Sequence, residues 1–206
     1  MRTDDLIRRL AADLPAGTPA AGRPRLGLGR TAAMALVLTV PLSALIYGLR
    51  ADLGAGEAFG VVFWAATAAA AVWAASRLAR PEPAPLVALI GPLAALLCAV
   101  GLMAWLGRGE GVTVFRADHV AHCAEIIGLL SLPPFLWLSV VMRRGAPASP
   151  RAAGATIGLI AGAIAALAYT LNCPIGDALA ALSAHTVSVL LVSALGAVVG
   201  PSVFSW

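Results

Sequence analysis

The 206-residue chain is 60% hydrophobic and only 12% charged, with a mean hydropathy of +0.90. Soluble domains carry about 25% charged residues, so the composition excludes an ordinary water-soluble globule and indicates an integral membrane protein. All 14 Lys+Arg positions are arginine; the pI of about 9.6 does not point to nucleic acid, because membrane proteins hold basic residues in their cytoplasmic loops.

Residues 1–30 are the one extended polar stretch. Thr3 can cap a helix, with Asp4 and Asp5 in its first turn, where carboxylates suit the positive end of the dipole. Leu6, Ile7, Leu10 and Leu14 recur at helical spacing while Arg8, Arg9 and Asp13 point elsewhere, which predicts an amphipathic helix of about three turns ended by Pro15. Ala16–Arg30, with Pro19, Pro24 and several glycines, reads as a flexible linker. So short a helix is marginal in water and needs a surface to fold on, either a partner protein or lipid headgroups.

Six apolar runs follow, each close to the roughly 20 residues that span a bilayer. They are placed at Thr31–Leu49, Ala58–Leu78, Ala84–Leu106, His119–Met142, Ala152–Leu171 and Ala178–Gly200. Short connections make neighbours antiparallel. The first run is not expected to be a cleaved signal peptide, since its polar leader is long and five more runs follow. Eleven arginines fall on the side of residues 1–30, Arg77–Arg80 and Arg143–Arg151, against three (Arg50, Arg108, Arg116) on the other. By the positive-inside rule both termini are cytoplasmic. The expected fold is an all-α membrane protein, a bundle of six transmembrane helices over 31–206, with 1–30 as a cytoplasmic segment and linker.

Gly154, Gly158 and Gly162 form a row on one face of the fifth run, and Gly196 and Gly200 repeat the spacing in the sixth. Small residues four apart let helix backbones approach closely in lipid; packing within one bundle is the expected use, a dimer contact the alternative.

The orientation puts the polar residues on the outer side. Cys123 lies 20 residues before Arg143 and Cys173 lies 22 after Arg151, so at 1.5 Å per residue both stand roughly 30–33 Å above the shared turn. A disulfide needs Cα atoms about 4.4–6.8 Å apart, and an oxidising periplasm favours one. Cys98 is read as core. His119, His122 and His185 share the outer half with Glu125, Asn172 and Asp177. Thiolate and imidazole are ligands for a soft or borderline metal ion. However, His119-x-x-His122-Cys123 is not a zinc signature, so no metal site is assigned, and a metal ion at Cys123 and Cys173 stands beside oxidation as the second chemistry open to the pair. Glu125, costly to leave in lipid, is expected to face the bundle interior or water. Pro133 and Pro134 remove consecutive helix hydrogen bonds and predict a kink.

Three function classes meet these residues. An enzyme, such as a membrane thiol oxidoreductase, would carry a Cys-x-x-Cys pair, and the chain has none. A small transporter would use Glu125 and the outer histidines as a metal or proton path, but polar groups run out near Ser131. A regulator fits best, with an amphipathic segment inside and a thiol pair outside.

Met1–Leu14, Arg77-Leu-Ala-Arg-Pro81, Cys123 followed by Leu129-Leu-Ser-Leu-Pro-Pro134, Arg143-Arg-Gly-Ala-Pro147 and Cys173 together resemble the NrsF-type anti-sigma factors over nearly the full length. The resemblance implies a six-span inner-membrane protein that holds an ECF-type sigma factor inactive at the cytoplasmic face. It also implies that Cys123 and Cys173 are the periplasmic pair that senses oxidants or metal stress, and that Thr3–Leu14 is the sigma-binding element. Members often have His-Cys where this chain has Asn172-Cys173.

Overall fold

The computed structural model describes residues 3, 5, 27–48, 54–79, 96, 117–145, 147–174 and 178–204. They form five long helices: α1 (Leu28–Tyr47), α2 (Ala55–Leu78), α3 (Ala117–Arg143), α4 (Pro150–Thr170) and α5 (Ala178–Phe204). Each is long and apolar enough to cross a membrane, and no strand occurs among the described residues. The helices coincide with five of the six expected spans. The expected third span at 84–106, with Cys98, lies outside the described residues except for Leu96, which is helical and buried in the common core. Asp177 and the expected N-terminal helix through Asp4, Leu6, Ile7, Leu10 and Leu14 also lie outside them; Thr3 and Asp5 are helical and exposed.

Local chemistry accounts for the helix ends. Ser149 caps α4, its hydroxyl accepting from the Ala152 N–H at 3.4 Å, with Pro150 in the first turn, where a missing N–H costs nothing. The Gly54 N–H at the head of α2 donates to Glu57 Oε2 at 2.9 Å. Helix α1 stops at Gly48, whose φ of +79° is a left-handed conformation that a Cβ would strain. Helix α5 continues through Pro201, past the expected end at Gly200, because the buried Phe204 fastens its last turn to the core. Helix α3 is likewise continuous through Pro133 and Pro134.

Helix α4 is the axis of the bundle. It packs against each of the other four helices, and 89% of its membrane-length window is buried. Against α5 it makes a glycine seam. A Cβ at Gly158 would stand 2.6 Å from the Val192 carbonyl oxygen and 2.9 Å from Ser193 Cα; one at Gly154 would collide with the Gly196 carbonyl, and one at Gly200 with the Pro150 carbonyl. Ser193 Oγ ties the seam by donating to the Ala155 carbonyl at 3.0 Å. The rows expected from sequence therefore serve packing inside one chain. The outward faces of α1, α3 and α5 carry exposed Leu, Ile and Val, such as Leu45, Leu136 and Val198, as a lipid-facing surface requires.

Two ends of the bundle differ in chemistry. At one, Arg30, Arg77, Arg143, Arg144 and Arg151 cap the helices and are all exposed. At the other, the C-terminal ends of α1 and α4 meet the N-terminal ends of α2, α3 and α5, and the candidate site lies there.

Candidate functional site at the end opposite the arginines

The site is built on the last turn of α4 and the tight turn that follows it, where the Asn172 N–H donates to the Tyr169 carbonyl at 2.9 Å. Cys173 follows immediately and is 3% exposed; Cys123, in the second turn of α3, is 0% exposed. Both are free thiols, and their side chains are hydrogen-bonded to each other. Residues fifty positions apart in the chain thus meet, an outcome that their equal height above the Arg143–Arg151 turn allows.

Helical geometry distributes the remaining expected residues. With Cys123 facing inward, Ile126, Ile127, Leu130, Ser131 and Pro134 complete the buried face of α3. Glu125, two residues past Cys123, is rotated by about 200° and is exposed, as is His122. Of the two settings expected for Glu125, bundle interior or water, the exposed position excludes the interior, and Asn172 finds other partners. His119, half-buried, sits 4.0 Å from Asp118. His185 is the one histidine of the three in the core, at 1% exposure.

His185 Nδ1 is 3.4 Å from Thr170 Oγ1. That hydroxyl donates to the Ala166 carbonyl at 2.7 Å, so it is the acceptor from the imidazole, and the proton belongs on Nδ1. Nε2 then carries a lone pair with no partner among the described residues. Tyr169 bridges the cluster: its ring is 5.5 Å from His185 and 5.7 Å, edge-on, from Tyr47 of α1. Thr170 also closes on α2, since a Cβ at Gly60 would meet its methyl at 3.0 Å.

Ser43 of α1 was not apparent from sequence. Most hydroxyls in these helices bond back to their own helix, as Thr39 does to Ala35 and Thr156 to Ala152, a common way to satisfy them in lipid. Ser43 instead crosses to α4. It accepts from Asn172 Nδ2 at 2.7 Å and lies 3.3 Å from the Ala168 carbonyl, to which it donates. Asn172 Nδ2 also donates to that carbonyl at 3.0 Å. A buried serine four turns into an apolar run has no distinguishing sequence signal.

Among the described residues, no three His, Cys, Asp or Glu side chains converge as metal ligands would. The thiols supply two sulfurs, while His119, His122 and Glu125 on α3 are separated from His185 on α5. The arrangement is that of a buried dithiol joining two helices, flanked by a polar cluster that reaches two more.

Comparison with known proteins places this geometry. The family profile described as negative regulator of sigma F (NrsF) matches residues 10–206. A probable anti-sigma-F factor NrsF of Azospira oryzae is 32% identical over 218 aligned positions covering the whole of both chains. The anti-sigma-F factor NrsF of Caulobacter vibrioides is 35% identical over 194 positions, 84% of this chain and 85% of its own. No solved structure matches. With the profile covering all but the first nine residues and relatives above 30% identity over most of their length, the chain belongs to the NrsF family of negative regulators of sigma F.

Proposed function

We propose that this protein is a membrane-bound anti-sigma factor that holds an ECF-type sigma factor at the cytoplasmic face through its N-terminal segment and releases it when Cys123 and Cys173 are oxidised outside. The observation that carries the reading is the hydrogen-bonded thiol pair at the bundle end opposite Arg30, Arg77, Arg143, Arg144 and Arg151, in a chain whose relatives are named anti-sigma factors. By the positive-inside rule the arginine end is cytoplasmic and the thiols belong to the periplasmic side of a bacterial inner membrane. The helix directions support a sixth span. Helix α2 ends at the arginine end while α3 starts at the thiol end, and the apolar sequence 84–106 between them has the length of a span.

The chemistry is a two-electron step. Two S–H bonds break, one S–S bond forms, and two protons and two electrons pass to a peroxide or a comparable thiol oxidant. Thiols already in contact lose little freedom on bonding, which favours the disulfide between them over mixed disulfides with other thiols. On the cytoplasmic side Leu6, Ile7, Leu10 and Leu14 would lie in a groove of the sigma factor, a helix-in-groove mode, with Asp4 and Asp5 at the helix start.

Co-purification tests this. The full-length chain extracted from reduced membranes should carry its host's sigma factor, and Leu10→Asp should abolish that. One buried leucine anchor exchanged for a charge costs on the order of 3 kcal/mol or more, a loss of at least about a hundredfold in affinity. Undiminished binding by Leu10→Asp would remove the anchor assignment.

A further inference from the structure

We infer that the Asn172–Ser43 hydrogen bond is a latch through which the state of the thiol pair is passed to α1, the helix that continues into the cytoplasmic segment. The inference rests on the anti-sigma reading for its consequence, but the latch itself is a property of the bundle.

The thiols lie between α3 and the turn after α4, and neither helix leads to residues 1–26. Helix α1 does, and it is the least embedded route: only 28% of its window is buried, the same share as α2 and well below α3 or α4. Met34, Val37, Leu38, Leu42, Leu45 and Ile46 are all exposed on it. Among the described residues, the hydrogen bonds that join α1 to another helix all pass through Ser43, to Asn172 and to the Ala168 carbonyl. Thr31 and Thr39 bond within α1. The edge-on Tyr47–Tyr169 contact one turn further on completes the attachment.

Asn172 is the chain neighbour of Cys173. Oxidation replaces a thiol hydrogen bond by a covalent bond of about 2.05 Å with a fixed dihedral, as the two protons and two electrons go to the peroxide. The sulfurs must close by more than about 1 Å, and the short turn that carries Cys173 has to move with its sulfur. A 2.7 Å hydrogen bond does not survive a displacement of that size at its donor. Ser43 is 0% exposed, so no water replaces the donor. Pro41 stands two residues before Ser43 and frees the Val37 carbonyl, which lets the last turn and a half of α1 move while the rest stays straight. The lever is then α1 itself rather than the proline pair of α3, through which the helix is continuous.

Hydrogen–deuterium exchange on the full chain in nanodiscs tests the latch without any sigma factor. Peroxide treatment of the wild type should speed exchange at 41–48 by about fivefold or more, the loss of one net hydrogen bond. Ser43→Ala and Asn172→Ala should show that faster exchange while still reduced, and the double variant should add nothing. Asn172→His puts a donor nitrogen at the same branch position and should behave as wild type. In cells, Ser43→Ala should lower the peroxide dose for half-maximal sigma release by a similar factor. Wild-type exchange at 41–48 that is unchanged by oxidation, or additive single variants, would overturn the latch. Exchange that responds as expected in a chain that retains no sigma factor would instead uphold the latch and remove the anti-sigma reading.

Discussion

Gly158→Leu is expected to eliminate the folded bundle, so that the variant is degraded or recovered as aggregate while wild type is extracted as a discrete species. Even the first atom of the new side chain would stand 2.6 Å from the Val192 carbonyl oxygen, about 0.6 Å or more inside normal contact. The obstacle is backbone on a helix that is itself packed, so rotamer change offers no relief. Helices α4 and α5 would have to separate along the whole seam, losing the Ser193–Ala155 bond and the contacts at Gly154 and Gly200 together. In lipid those contacts are the main attraction between helices, because apolar burial adds little there. A cost well above the usual 1–3 kcal/mol for overpacking removes a large part of a total stability of about 5–15 kcal/mol. Gly128→Ala in α3 is the matched control. A Cβ there meets nothing within 4 Å, and the change should be neutral or stabilise by up to about 1 kcal/mol in helix propensity. Thermal unfolding in detergent followed by gel filtration reads both. A Gly158→Leu variant with wild-type melting would mean that α4 and α5 do not form this seam.

Much of this architecture was legible because bilayers impose length and polarity rules that a single sequence displays. Five spans start and stop within a few residues of their expected places, and both glycine rows fall where small-residue spacing indicated. Counting residues to a shared turn placed Cys123 and Cys173 at one height, and the packing of α3 on α4 brings them together. Hydropathy could not rank the helices by depth, since α4, nearly all buried, has the same mean hydropathy as α2, mostly lipid-exposed, at 1.8 each. Alanine content does not separate them either, since α2 is as rich in alanine as α4; what α4 adds is the Gly154, Gly158 and Gly162 row on which α5 closes. For Glu125 the two expected settings, bundle interior or water, are separated by helix geometry. With Cys123 buried, Glu125 two residues on turns away from the core, which leaves the watery setting that a charge near a membrane boundary requires. Glu125 stands only about 12 Å from the start of α3, near enough to the end for its carboxylate to reach toward polar surroundings. Ser43 was invisible for another reason: partner choice between its own helix and α4 depends on Asn172, 129 residues away.

Replacing both thiols, Cys123→Ser with Cys173→Ser, is expected to abolish oxidant-driven release while leaving sigma retention intact. Serine keeps the size and a donor at each position, so the mutual hydrogen bond and the packing of α3 on α4 can persist, with a stability change of about 1 kcal/mol or less. No S–S bond can form, so nothing closes the two side chains to covalent distance. A reporter of the sigma regulon should then stay at its uninduced level across a peroxide titration that raises the wild type at least about tenfold, the response expected of a switch with a ~1.4 kcal/mol differential. Either single variant should behave in the same way, because one thiol cannot form the intrachain bond. The burial of both sulfurs, at 0% and 3% exposure, adds a second expectation. A membrane-impermeant maleimide should label the reduced wild type in spheroplasts much more slowly than the detergent-unfolded chain, since its bulk requires local opening, whereas a small peroxide reaches the pair. Slow labelling with fast oxidation distinguishes a packed sensor dithiol from two surface cysteines. Normal induction in the double variant would remove the thiols from the mechanism, and the cytoplasmic segment, tested through Leu10, would then stand as a sigma-binding element answering to some other part of the bundle.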